Sequence, residues 1–324
     1  MLQNVYKPEG FYLNTSENRE YISSVQGLER AMNNGKILEG MATMCDSDMS
    51  ISVDLYGVKG IIPKEECVLV PKGEQVKDIA IITRVGKAVC FKVLSLERKS
   101  DGSVCAILSR RAAQIECMNN YLMGLISGDI IPARITHLEQ FGAFVDIGCG
   151  IVSLLSIDCI SVSRISHSKD RFTPGMHIMA VVKSIDYDTG KIYVSHKELL
   201  GTWEENAALF TPGQTVAGIV RSIENYGIFV ELTPNLAGLA EYKEDVCIGQ
   251  TAAVYIKNII HEKMKIKLVL IDSYRGELIP HKMNYFIDFK KTTHIDSFRY
   301  SSNLSDKIIE SEFQRERVLK SAEN

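Results

Sequence analysis

One stretch of this chain is written twice. Residues 128–147 align without a gap with residues 213–232. Each copy sets aromatic rings around a glycine at the same offset: Phe141, Gly142 and Phe144 in one, Tyr226, Gly227 and Phe229 in the other. Such a repeat constrains the fold before any single residue does, because each copy has to be the same kind of supersecondary unit. Both copies continue in the same order. A glycine followed by apolar residues (Gly150, Gly238) leads into a variable loop, and Gly175 or Gly249 then opens a segment carrying Lys183 or Lys257. After a turn, Lys191 or Lys265 heads a last short segment. Apolar residues alternate with polar ones along these segments, and Gly, Asp and Asn bound them, as in antiparallel strands. Five such strands in about 60–75 residues suit a small closed barrel rather than an open sheet.

A divergent third copy precedes them. Gly35 to Met44, Ile51 to Leu55, and Gly57 to Pro63 read as its first three strands, with a closing hairpin over Val89–Leu96 and Val104–Ser109. It has Met49 and Ser52 where the other copies have rings. The expected fold is all-β: three tandem five-stranded barrels, short helical linkers and a small C-terminal α/β tail. The expected segments are an N-terminal extension over 1–34, barrels over 35–118, 125–200 and 210–273, and a C-terminal extension over 274–324. Arg110 to Leu122 has helical spacing, and a second linker begins at Lys197. In the tail, Tyr285 to Phe289 reads as a strand. Ser305 to Lys320 reads as a helix with Ile308, Ile309 and Phe313 on one side and a serine suited to its N-cap.

Composition removes several function classes. No apolar run approaches the roughly 20 residues that span a bilayer, and Met1 to Glu20 lacks the apolar segment of a signal peptide. The expected location is the cytoplasm, with no membrane partner. Eight cysteines are scattered with no C-x-x-C pair, so they read as small hydrophobes, and neither a metal nor a cofactor is expected. His294 and Asp296 form the one tempting His/Asp pair, but converging companion groups are missing. No P-loop or G-x-G-x-x-G follows a strand. The chain is therefore expected not to be an enzyme and to have no small-molecule substrate. Its net charge of −3, from 37 Lys and Arg against 40 Asp and Glu, argues against tight duplex binding by phosphate neutralisation. It leaves room for a single-strand binder that stacks bases on aromatic rings.

The pattern of a glycine, a Val and an Ile, then Phe/Tyr-Gly-x-Phe-Val, followed by Val-Lys-x-Ile-Asp, resembles the S1 RNA-binding domain. The repeated arrangement, with its junction from Ser195 to Trp203, resembles the ribosomal protein S1 branch of that family in a short form with three repeats. The resemblance covers about residues 35–272 and is strongest in copies two and three. It implies barrels of the oligonucleotide-binding (OB-fold) type with single-stranded RNA along one face, and mRNA held for translation on the small ribosomal subunit. The alternatives are a free RNA-binding regulator or RNA-decay accessory, and a protein scaffold whose barrels have lost RNA. The residues the resemblance assigns to RNA are Phe141, Phe144, Ser153, Lys183, Asp186 and Lys191 in copy two, and Tyr226, Phe229, Lys257 and Lys265 in copy three. Where the family usually has a histidine after its Gly-Leu step, this chain is expected to have Ser153 in copy two and Glu241 in copy three. Ile260 replaces the expected aspartate in copy three. Residues three apart on a flat strand point to opposite faces, so a bulge or strong twist at the glycine is needed to bring both rings of a pair to one surface. Copy two is expected to bind best and copy one hardly at all.

Overall fold

The computed structural model describes residues 6–70, 75–100, 102–186, 189–276 and 283–313. Two helices come first, α1 (Ser16–Ile22) and α2 (Val25–Asn33). Each begins at a hydroxyl that accepts an N–H of the first turn, Thr15 from Asn18 and Ser24 from Gly27. Strands β1 (Leu38–Cys45), β2 (Ile51–Leu55) and β3 (Val58–Ile62), helix α3 (Asp78–Ile82), and strands β4 (Ala88–Arg98) and β5 (Val104–Ser109) form the first barrel. Helix α4 (Arg110–Asn120) occupies the linker that helical spacing marked. The second barrel comprises β6 (Ile130–Glu139), β7 (Gly142–Asp146), β8 (Val152–Ser156), β9 (His177–Asp186) and β10 (Lys191–Ser195). After α5 (Trp203–Ala207) comes the third: β11 (Thr215–Glu224), β12 (Gly227–Thr233), β13 (Leu236–Ala240), β14 (Thr251–Ile260) and β15 (Lys265–Tyr274). All three barrels are closed, and in each the third and fifth strands pair in parallel, against antiparallel neighbours such as β1 with β2, β9 with β10 and β11 with β12. Closure leaves short strands without an exposed edge.

The chain divides into two compact units. The first runs to Leu125 and includes Pro132–Arg134 and Asp146–Val152. Ile22, Leu28 and Ala31 of α1 and α2 join Leu38, Val53, Phe91 and Leu108 of the barrel in one core. Beside it lies a buried ionic cluster. Arg110 holds Glu9 through Nε–Oε1 (2.6 Å) and Nη2–Oε2 (3.1 Å), and also donates to the carbonyls of Cys67 and Gly150. Asp146 accepts the N–H groups of Glu9, Gly148 and Gly150. Burial opposes ionisation of Glu9, yet Arg110 beside it keeps its carboxyl below the usual range. Burial and the charge of Glu9 push Asp146 up to about 7 and Glu39 up to about 8. One full charge pair is thus held, and the neighbouring carboxyls are driven to keep their protons.

The second unit holds Ile126–Ile131, Ile135–Val145 and the chain from Ser153 onward. Within it the second and third barrels are joined by buried polar groups. Arg171, in the loop after β8, donates to Glu231 of β12 at 2.5 Å, and Arg221 of β11 donates to the same carboxylate at 2.9 Å. Asn235 accepts the N–H of Val162 and donates to the carbonyls of Lys197 and Gly201.

The tail differs from the sequence expectation in both of its elements. Tyr285 to Phe289 is irregular, not a strand. Its rings are anchored by packing: the Tyr285 hydroxyl accepts the N–H of Met179, and Tyr285, Ile287 and Phe289 lie on Ile130, Val181, Leu199 and Phe313. The expected helix is instead extended in its described part, with β17 (Glu310–Glu312) pairing antiparallel to β16 (Ser297–Arg299); residues 314–320 of that expectation lie outside the described residues. The reason is reach. Ile309 packs on the third barrel's core and Phe313 on the second's. Four extended residues span about 13 Å, whereas four helical residues rise about 6 Å.

Candidate nucleic-acid interface

The ring pairs sit at the β6–β7 and β11–β12 hairpins, and the turn explains how they meet. Gln140–Phe141 and Asn225–Tyr226 are the two-residue turns, so Phe141 and Tyr226 do not lie on strands. The rule that residues three apart face opposite ways therefore does not apply to them. Phe141 is 55% exposed and Tyr226 69%, while Phe144 and Phe229 lie half-buried on the outer barrel surface. The rings meet edge to face in both barrels, at 6.0 Å and 87° for Phe141–Phe144 and 6.1 Å and 89° for Tyr226–Phe229. The glycine between them is needed for close approach. A Cβ on Gly142 would stand 2.4 Å from the Leu155 carbonyl oxygen, and one on Gly227 2.3 Å from that of Ala240.

Cross-strand register shows what else shares this face, since directly opposed residues point the same way. In the third barrel Ser222 opposes Phe229, Phe229 opposes Leu239, Leu239 pairs with Lys267, and Lys267 opposes Asn258. In the second, Leu154 pairs with Tyr193, as Leu239 does with Lys267. The gap-free repeat therefore runs on through β8 and β13, with Leu154 matching Leu239.

That register moves one expected site residue. Ser153 points into the barrel: it is buried and its hydroxyl donates to the Ile192 carbonyl. Ser156, half-buried on the outer face, stands where Glu241 stands in the third barrel. Matching Gly150 with Gly238 set the earlier alignment three residues out.

The remaining candidates are only partly brought together. Lys191, Lys257 and Lys265 are exposed and make no ion pair among the described residues. Lys257 is the extra residue of a bulge between Ile256 and Asn258. Lys183 points its Nζ at Cys159 Sγ (3.1 Å), and that contact holds its amine above the usual lysine value. Asp186 caps its own turn, accepting from the N–H and hydroxyl of Thr189. Sequence reading missed His137, whose ring stacks on Phe144 at 6.4 Å and 26°. It also missed Lys267 and Tyr193, although the repeat had aligned them. Away from this face, His294 bridges Asp129 (2.8 Å) and Asp296 (3.2 Å). Among the described residues no three His, Cys, Asp or Glu are placed to hold a metal.

Residues 125–197 match the family model of the S1 RNA binding domain. The second barrel is an S1 domain. Beyond this S1 barrel, the chain is similar to the small ribosomal subunit protein bS1 of Staphylococcus aureus, 28% identical over 240 residues, which cover 72% of this chain and 58% of that protein. The small ribosomal subunit protein bS1 homolog of Bacillus cereus is 30% identical over 233 residues, 69% of this chain and 56% of its own length. The matched region thus spans little more than half of each relative. No helix among the described residues is long and apolar enough to cross a membrane.

Proposed function

We propose that this chain is a cytoplasmic RNA-binding protein without catalytic activity that holds single-stranded mRNA for the small ribosomal subunit. The observation that carries the reading is the ring pair repeated in the same geometry on two barrels, one of them an S1 domain. An exposed ring set on a rigid hairpin offers a π-face to any base, and each stack contributes about 1–3 kcal/mol. Lys191, Lys265 and Lys267 add cations on the same barrels, while the net charge of −3 keeps the electrostatic share small. Each platform is weak alone, and two joined in one compact unit gain by avidity.

Two measurements test this. Binding of the full chain to single-stranded oligoribonucleotides is expected, and its absence would leave a protein scaffold. Co-sedimentation of the full chain with small subunits at moderate salt is expected as well. RNA binding without co-sedimentation would replace the ribosomal reading by that of a free RNA-binding regulator.

A further inference from the structure

The outer row of the second barrel contains more aromatic surface than the hairpin pair. Ile192 and Val194 are buried, and Tyr193 between them is turned outward and half-exposed. Tyr193 pairs with Leu154 on one side and Ser184 on the other. By the repeat and its register, Leu154 lies beside Phe144 as Leu239 lies beside Phe229. The row across this barrel is therefore His137, Phe144, Leu154, Tyr193. Strands stand about 4.8 Å apart, which puts Tyr193 roughly 10 Å from Phe144 across one leucine. A buried tyrosine generally finds a partner for its hydroxyl. The Tyr193 hydroxyl makes no hydrogen bond, and its ring no ring contact, among the described residues.

We propose that Tyr193 is a second base-stacking station, in line with the Phe141/Phe144 platform, and that His137 extends that platform at its other end. The ligand is single-stranded RNA, so the proposal rests on the reading above and adds to it where the bases go. Lys191, two residues before Tyr193 on the same strand face, is exposed and positioned for a phosphate. At the opposite end Glu139 lies 2.8 Å from His137 Nε2, which orients the imidazole and repels phosphate. The sugar–phosphate track therefore favours the Lys191 side, with bases laid over the rings. The third barrel is built otherwise: Ser222 replaces His137 and Lys267 replaces Tyr193. It gains a phosphate contact where the second barrel gains a stack.

The test uses the full chain and a fluorescent oligouridylate of about 12 nucleotides, within the roughly 4–16 that one such barrel covers. Tyr193→Ala is expected to weaken binding about five- to a hundredfold, and Tyr193→Phe to retain it. His137→Ser should cause a smaller loss. Tyr193→Lys, which copies the third barrel, should bind more weakly and steepen the slope of log affinity against log salt by about 0.7. Should Tyr193→Ala unfold the barrel, the Phe and Lys variants decide alone, with the Lys variant binding like wild type at all salts overturning the proposal. Phe144→Ala separates the two levels. If it weakens binding while Tyr193→Ala does not, the second station is wrong and the platform stands. If neither variant changes binding, or wild type does not bind, the RNA-face reading itself falls.

Discussion

The row that crosses the second barrel as His137, Phe144, Leu154 and Tyr193 crosses the first as Met44, Ser52, Ile61 and Ile107. Both barrels close in the same way, with the third strand parallel to the fifth. The inward rows are interchangeable hydrophobes, whereas the outward rows share no ring. The hairpins differ too. A two-residue turn lifts Phe141 into solvent, while in the first barrel residues 46–50 connect Cys45 to Ile51 without an aromatic side chain. Ser52, at the position of Phe144, is buried with its hydroxyl unpartnered. Closure thus depends on one face of each strand, and the other face is left to specify a ligand or none. The first unit puts its polar residues elsewhere, in the buried cluster around Arg110.

If that division is right, the largest effect of any single change should be structural and confined to the first unit. Arg110→Leu takes from the buried Glu9 the guanidinium that holds both its oxygens, leaving only Arg84 at 3.8 Å, and is expected to cost about 3–5 kcal/mol. Hydrogen exchange should show lost protection there, with the second unit unchanged; equal loss in both would break the comparison. Next comes the platform. Phe144→Ala should lower single-stranded RNA affinity by about 1–3 kcal/mol, while Met44→Ala and Ile107→Ala leave it unaltered by fluorescence anisotropy. A first-barrel variant that weakened binding as much would mean that the RNA face is misassigned. Smaller again is Glu241→His in the third barrel, which removes a carboxylate near Phe229 and supplies a ring. A gain of about 1 kcal/mol is expected from one added stack, and weaker binding by this variant would place RNA away from Glu241.

The comparison can also be tested through a dependence on pH. Asp146 at about 7 and Glu39 at about 8 lie above their unfolded values of about 3.9 and 4.3. Between those limits the folded first unit holds more protons than the unfolded chain, so its stability declines as pH rises from about 4 to about 8. Glu9, held low, acts in the opposite sense and only in acid. Glu39→Gln should flatten the decline, read as urea midpoints at about pH 6 and about pH 8. A wild-type midpoint that rose with pH over this window would contradict the protonated state assigned to Glu39.

Much of this was legible in the sequence, and the misses have physical causes. The repeat located the barrels because inward hydrophobes must recur for closure, and the paired rings stood out because they flank an obligatory glycine. Ser153 was misplaced by one coincidental glycine match, because the gap-free alignment stopped at Ile147 and only strand register carries it on to set Ser156 against Glu241. His137 and Tyr193 went unnoticed because a row across a barrel joins residues distant in the chain, and only register brings them side by side. The tail was misread because Ile309 and Phe313 are four apart, a helical spacing, while nothing local reveals that their two cores lie too far apart for a helix. Glu231 reads as an ordinary strand acid until Arg171, 60 positions away, is placed against it.

That contact between Arg171 and Glu231 has a bearing on the RNA itself. Tandem modules on a loose tether adjust their separation to whatever strand they meet. Here the ring pairs of the second and third barrels are spaced by packed protein, with two arginines on one carboxylate and Asn235 bridging the junction. Under the proposed function the pair would act as a gauge. A strand shorter than the fixed span would engage one platform, a longer one both, and whatever slack or bend the double engagement required would be supplied by the nucleotide chain.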